Sequence, residues 1–372
     1  MAISSSLVIS RDSGAPENDA HEATTREEAD KISPVLKDDG VLSMIASYYG
    51  VCDTTMQRFT CLTKTTKLNV LLEILTSAVE FEQLPVRPGE EELIRSLLMN
   101  NERFSFDNPN CTNPHVKANA LLQAHFSRQP LSGDLAADQA EVLLTATRLL
   151  PAMVDVILCV RWSCLAYRAM KVSQMVTQGM WECDSILLQL PYFTRELAKR
   201  CEDNLGGSVM PVYDMMYMVN ERRELLGISD AQLSEIAKVC NRIPDIDCYY
   251  RLDSEDIRAG EVISLEVILQ RNLEGSTEGE PVYAPRYPKA KEEGWWLTVS
   301  ERNSNRSLAV RRVCIKRRMK KVKLEFDAPA QTGMKDYALE LTCDSYMGCD
   351  QVHYFSVDVK DTGAPEDEDM RE

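Results

Sequence analysis

The sequence predicts a multidomain α-then-β chain: a helical bundle plus a helix-loop-helix domain, followed by an immunoglobulin- or fibronectin-like β-sandwich. Two rhythms and one absence predict it. Leu68, Leu71, Leu72, Leu75 and Val79 recur at the spacing that puts side chains on one face of a helix, and Leu165, Ala169, Val172, Val176 and Met180 repeat it. Past Asn241-Arg242-Ile243-Pro244 the rhythm becomes alternation. Ile263, Leu265, Val267 and Leu269 fall on one side of an extended chain, with Ser264, Glu266 and Ile268 on the other. Neither side carries a set of residues that could run a reaction, which points to a binding module rather than an enzyme.

Taken in order, residues 1–38 form an acidic arm (Glu17, Asp19, Glu22, Glu27, Glu28, Asp30) too poor in apolar surface to offset ordering entropy, so disorder is expected. The bundle spans 39–193. Helices are predicted at 41–49, at 67–80, and after Pro88-Gly89, where Leu93, Leu97 and Leu98 share a face. The stretch from Phe106 to Asn110, with Asn113-Pro114, is a turn-rich connection, and helix resumes near His115. A long helix covers about 134–160 (Val142, Ala146, Leu149, Met153, Val156, Ile157), with Pro151 inside it expected to introduce a bend.

Residues 194–243 read as the helix-loop-helix layer, with short helices opened by Thr194, Pro211 and Ser229. Ser229-Asp230-Ala231-Gln232 has capping-box form, and Leu233, Ile236 and Cys240 follow on one face. The sandwich spans 244–360, with strand candidates at 246–252, 262–269, 281–284, 295–300, 307–315, 320–326, 337–343 and 352–359. Residues 361–372, with Glu366, Asp367, Glu368 and Asp369, are a second acidic tail, also expected to be disordered.

With 372 residues, 44% of them hydrophobic and 27% charged, two or three domains can each bury a core. No apolar run is expected to span a membrane, which needs about 20 residues, and 3–10 lacks the basic flank and length of a signal peptide. An intracellular, nuclear or cytosolic location is expected. The twelve cysteines are scattered among apolar neighbours, Cys159 and Cys240 for example, and are expected to be buried and reduced. Cys343 and Cys349 flank a turn rather than bridging distant strands. The net charge of −16 argues against a nonspecific nucleic-acid coat, although much of it sits in the tails.

No phosphate-cradling loop is present, because Gly206-Gly207 and Gly227 lead into no Lys-Ser/Thr pair. Cys159 with Cys164, or Cys343 with Cys349, lacks a second pair for zinc. His21, His115, His125 and His353 suggest no shared site, and Cys111 near His115 has no orienting third group. No cofactor and no small-molecule substrate are implied. One charge feature stands out: Arg311, Arg312, Lys316, Arg317, Arg318, Lys320, Lys321 and Lys323, interleaved with Val313, Ile315, Met319 and Val322. It reads as a solvated strand-turn-strand face, or as a docking site for phosphate or an acidic partner. No stacking aromatics accompany it.

Several stretches together carry a resemblance: 44–49 (Met-Ile-Ala-Ser-Tyr-Tyr), 113–117 (Asn-Pro-His-Val-Lys), 121–125 (Leu-Leu-Gln-Ala-His) and Gln174 to Trp181. Gln189-Leu190-Pro191, Glu292 to Trp296, Ser345 to Gln351 and Phe355 to Val359 follow in the same order. The series resembles the Sec-sixty-three unit of large spliceosomal RNA helicases over about 41–360, and within that family it is most similar to the second, C-terminal unit of the Brr-two helicases of the U-five small nuclear ribonucleoprotein. The resemblance implies a helical bundle, a helix-loop-helix domain and an immunoglobulin-like domain. It also implies a catalytically silent platform that binds splicing factors and tunes a helicase motor. The RecA-like motor and winged-helix domains that precede the unit in the family are not in this sequence. Residues 147–162 match the helix that lines the strand exit in active relatives, and Pro151 is a departure within it, next to Arg148.

The expectation is therefore a nuclear, non-catalytic interaction module for splicing-factor proteins and other parts of a helicase or ribonucleoprotein. An RNA-binding accessory domain using the basic face is the alternative. The endoplasmic-reticulum protein that lends the unit its name should bring membrane spans and a His-Pro-Asp loop, and neither is present here.

Overall fold

The helical periodicities are realised in the first half of the chain. The computed structural model describes residues 39–361, apart from 101–102, 105–107, 204–226, 255 and 274–276. Residues 1–38, nearly all of the C-terminal tail, and the short helix expected at Pro211 lie outside the described residues.

Helices α1 (Asp39–Tyr49), α2 (Asp53–Phe59), α3 (Leu68–Thr76) and α4 (Glu90–Met99) lead to α5 (Pro114–Phe126), α6 (Gly133–Cys159) and α7 (Ser163–Gln178). Helix α2 was not expected, since its seven residues offer a single apolar turn, Met56 and Phe59. The helix expected at 67–80 stops at Thr76 and resumes as a 3-10 turn, Val79–Phe81. In α4 the buried face is Ile94 and Leu98, with Leu97 partly buried, and Leu93 is exposed, which corrects the expected face. Asn113 caps α5 by accepting from the His115 amide at 2.9 Å, and Pro114 fills the first turn, where its missing N–H costs nothing.

Helix α6 runs through Pro151 as one element. By length and composition it could cross a membrane, contrary to the expected absence of such a run. It is apolar because it is the central helix, packed against α1, α2, α3, α5 and α7. Fully burying a leucine such as Leu149 or Leu150 there contributes about 1.5–3 kcal/mol relative to exposure.

After a 3-10 turn at Ile186–Gln189 come α8 (Arg195–Asp203) and α9 (Asp230–Cys240). The capping box opening α9 is present in both directions, Ser229 Oγ to the Gln232 amide and Gln232 back to the Ser229 amide.

Eight strands follow: β1 (Asp245–Leu252), β2 (Ile257–Arg258), β3 (Val262–Asn272), β4 (Trp295–Glu301), β5 (Arg306–Val313), β6 (Met319–Asp327), β7 (Gly333–Cys343) and β8 (Gln351–Lys360). They form two sheets, ordered β1-β3-β6 and β2-β8-β7-β4-β5. All named pairings are antiparallel except the short β2–β8 pair. The strand expected at 281–284 is irregular chain, where Pro281 and Pro285 withhold the amides a ladder needs. Ile263, Leu265, Val267 and Leu269 are buried as alternation predicts. Phe326 of one sheet meets Tyr337 of the other edge to face at 5.3 Å. Strand β4, paired on both edges with β7 and β5, is buried almost throughout rather than alternately, so both of its faces are covered.

Candidate interaction surface

Helix α7 presents glutamines one turn apart, and both reach the β7–β8 turn. Gln174 Nε2 donates to the Cys343 carbonyl at 2.8 Å and to Asp350 Oδ1 at 2.9 Å. Gln178 Nε2 donates to the Ser345 carbonyl at 2.8 Å. Gln189, at the end of the second 3-10 turn, completes the series by donating to the Met347 carbonyl (3.0 Å) and accepting from the Met347 amide (2.8 Å). Lys171 pairs with Asp350 Oδ2 at 3.1 Å. A buried turn must find partners for its peptide groups, and neutral amides supply them at a lower desolvation cost than ions would. The stretches Gln174 to Trp181 and Ser345 to Gln351, far apart in sequence, thus meet as the joint between the helical and β halves.

The Glu292 to Trp296 stretch is a second polar junction. Glu293 holds the buried Arg271 guanidinium through both oxygens and accepts from Trp295 Nε1 at 3.1 Å. Burial outweighs the Arg271 charge and lifts the Glu293 carboxyl above its ordinary value. Asp344 accepts from the Gly294 amide (2.9 Å) and pairs with Lys291 (2.7 Å) and Arg312 (3.1 Å). Burial pushes the Asp344 carboxyl up, but the two cations prevail and hold it below its usual range. Gly294 is glycine for space: a Cβ there would lie 2.7 Å from Asp344 Oδ2.

The eight basic residues do not share one face, because β5 and β6 belong to different sheets. Arg311 and Arg312 lie on β5, and Arg312 stacks 4.0 Å over the Trp296 ring while pairing with Asp344. Lys316, Arg317 and Arg318 lie in the crossover, where Lys316 meets Glu292 (3.0 Å) and Arg317 meets Glu278 (3.6 Å). Lys320, Lys321 and Lys323 lie on β6. Lys321 pairs with Glu266 at 3.1 Å, and Lys323 with Glu325 at 2.9 Å and Asp253 at 3.6 Å. Carboxylates therefore offset much of the field that the sequence cluster suggests.

Among the described residues, His115, His125 and His353 have separate structural partners. His115 Nδ1 lies 2.8 Å from the Thr76 carbonyl and His125 Nε2 lies 2.8 Å from the Val176 carbonyl. Burial drives the His125 pKa down to about 4, with Arg286 and Arg128 adding to the shift. Cys52, Cys61, Cys164, Cys183 and Cys314 are exposed, against the expectation of burial; each sits at a helix end, in a loop, or on an outward helix face. All twelve cysteines are free. Among the described residues no group of three His, Cys, Asp or Glu is arranged to hold a metal ion.

Two clefts had no sequence signal, since distant segments assemble each. One, of about 340 Å³, opens between α7 and β7, with Cys164, Tyr167, Glu182 and Glu340 in its lining. The other, of about 590 Å³, lies beside Trp181, where Arg103 (3.2 Å) and Arg195 (3.0 Å) share Asp184.

Comparison with known proteins places these features in context. The family model described as the Sec63 Brl domain matches residues 41–356. The chain is 57% identical over 326 residues to the DExH-box ATP-dependent RNA helicase DExH12 of Arabidopsis thaliana, covering 87% of this chain and 15% of that protein. It is 43% identical over 331 residues to the human U5 small nuclear ribonucleoprotein 200 kDa helicase, covering 88% and 15%. To the pre-mRNA-splicing factor brr2 of Schizosaccharomyces pombe it is 39% identical over 322 residues, covering 86% and 14%. The chain thus spans about one seventh of the length of these relatives.

Proposed function

Since the chain belongs to the Sec63 Brl domain family and its relatives include spliceosomal RNA helicases, we propose that it is a non-catalytic protein-interaction module of such a helicase. In this reading it works in pre-mRNA splicing in the nucleus, within the U5 ribonucleoprotein, as a platform for splicing factors and a regulator of the helicase motor. The bundle at 39–193, the helix-loop-helix layer at 194–243 and an immunoglobulin-like sandwich at 244–360 are its proposed domains.

One observation carries the proposal. Gln174, Gln178 and Gln189 spend their amides on the Cys343, Ser345 and Met347 backbone, so these family-like residues fix the two halves in place. A chain whose shared motifs build a joint is suited to holding surfaces in a set geometry, which is what a platform requires. Affinity capture from nuclear extract tests it: recovery of U5 proteins supports the reading, and recovery of no splicing protein overturns it. Nucleoside triphosphate turnover by the purified chain would overturn the non-catalytic part.

The RNA-binding alternative has less support, because carboxylates already meet Arg312, Lys316, Arg317, Lys321 and Lys323. A single-stranded RNA titration at rising salt decides it, through the slope that phosphate contacts impose.

A further inference from the structure

We propose that the cleft between α7 and the outer face of β7 receives a lysine or arginine side chain presented by a partner protein. The proposal deepens the platform reading and rests on it. At its centre is Glu340. Its Oε2 accepts from Thr298 Oγ1 at 3.0 Å, a neutral hydroxyl, and no ion pair to it occurs among the described residues. A carboxylate sheltered in this way is costly without a cation. Burial lifts its carboxyl above the ordinary value, only partly countered by Thr298.

Neither cation of the cleft lining pairs with Glu340. Lys171 pairs with Asp350 at 3.1 Å, and Arg168 donates to the Thr66 carbonyl. Glu182 adds a further carboxylate to the lining, and the Tyr167 phenol lies within the field of Asp350, Glu340 and Glu182 together. The lining therefore holds two cations beside its two carboxylates, but among the described residues neither cation lies within ion-pair distance of Glu340.

Shape agrees with charge. The β7–β8 register sets Val352 opposite Glu340 and Tyr354 opposite Ala338, so both lie beside the carboxylate on the same outer face. Both are about half exposed, at 49% and 46%. Arg302 already stacks over the Tyr354 ring at 4.7 Å, which leaves Val352 as the open apolar neighbour of the sheltered carboxylate, a surface for an aliphatic stem that ends in a cation. A volume of about 340 Å³ suits one long side chain with part of its backbone.

Peptide pools test the site. Fluorescent hexapeptides with a fixed central arginine, lysine, norleucine or glutamate are titrated into the purified chain, and alkylation of Cys164, which lines the cleft, is followed peptide by peptide in mass spectra. The arginine and lysine pools are expected to bind saturably and slow Cys164 alkylation, and the other two pools to do neither. Glu340→Gln keeps the Thr298 bond and is expected to weaken binding about tenfold or more. Glu91→Gln, on the exposed side of α4, should leave binding unchanged.

Val352→Lys places a cation beside Glu340 at an exposed position and should block the cleft without touching a core. Equal binding of the norleucine pool, or full affinity in both Glu340→Gln and Val352→Lys, overturns the proposal. Capture of splicing proteins separates it from the platform reading. Equal recovery by the native chain and Glu340→Gln removes the cleft and leaves the platform. Peptide binding without any such recovery keeps the cleft and removes the platform.

Discussion

Gln174 Nε2 lies 2.8 Å from the Cys343 carbonyl oxygen, binding the middle of α7 to the last residue of β7. The same nitrogen reaches Asp350 Oδ1 at 2.9 Å, so one amide serves both ends of the β7–β8 turn. Replacing it by leucine strands a buried carbonyl and deprives a carboxylate of a donor. Gln174→Leu is expected to cost about 1–3 kcal/mol. Gln174→Glu should cost more, since it sets a second carboxylate against Asp350. Urea midpoints of the two variants, with the rate of proteolysis between the halves, check the order.

Lys117 provides a second case. Its ammonium is fully buried, 2.6 Å from both Glu90 Oε2 and Asp138 Oδ2, with the Pro85 carbonyl at the same distance. Removing the cation leaves two sheltered carboxylates with, among the described residues, only Arg87 to answer them. Lys117→Met should lose about 3–5 kcal/mol, the range for breaking a buried pair. Adding Glu90→Gln and Asp138→Asn should recover part of that loss. Burial pushes both carboxyls up, but bonds from Lys117 and Arg87 leave them below their ordinary values. Their contribution is present above about pH 4 and is lost as pH falls through the depressed values. Denaturant titrations of the native chain and Lys117→Met at neutral and acid pH measure both effects.

These examples show where sequence reading reaches and where it stops. Leu71, Leu72 and Leu75, or Ile263 to Leu269, announce their faces because burial imposes a period on neighbouring residues. Leu93 misled, since Ile94 one position on carries the same apolar signal and α4 is short enough for either to face inward. The Arg311 to Lys323 run looked like one patch because adjacency in sequence stands in for adjacency in space. Strand β5 entering one sheet and β6 the other breaks that link. Lys117 and Glu340 gave no signal, because their partners are set by packing between distant elements rather than by spacing.

His125 gives the chain an acid sensitivity of its own. Its pKa is pushed down to about 4 from 6.5, first by burial and then by Arg286 and Arg128. The unfolded chain therefore takes up a proton that the folded one refuses. Stability from the neutral ring is complete above about pH 6.5 and declines as pH falls towards 4. By pH 5 the loss should reach about 2 kcal/mol, and His125→Phe should remove that part of the slope. Unfolding midpoints at pH 7.5 and 5 are the check, and parallel profiles for the two proteins would contradict it.

Gly179 protects the same ring. It closes α7 at φ +58°, a left-handed conformation that favours glycine, and an added Cβ would stand 3.0 Å from His125 Cε1 and 3.1 Å from Arg286 Cδ. Gly179→Ala combines backbone strain with displacement of a buried imidazole. It should cost about 1–3 kcal/mol, seen as a lowered thermal midpoint.

Arg312 and Lys320 should behave differently although both belong to one basic run. The Arg312 guanidinium stacks 4.0 Å above the Trp296 ring and pairs with Asp344 at 3.1 Å, where Lys291 also converges. A planar, delocalised cation can stack and donate at once, whereas an ammonium on a flexible stem cannot reproduce that geometry. Arg312→Lys should therefore destabilise the chain by about 1–2 kcal/mol despite conserving charge. Lys320→Ala, at an exposed position, should fall within about 0.5 kcal/mol of the native chain. Thermal and urea unfolding of both variants tests the contrast. Equal effects would mean that the Trp296–Asp344 junction does not hold Arg312 in solution, and the basic run would then have to be treated as a single exposed surface.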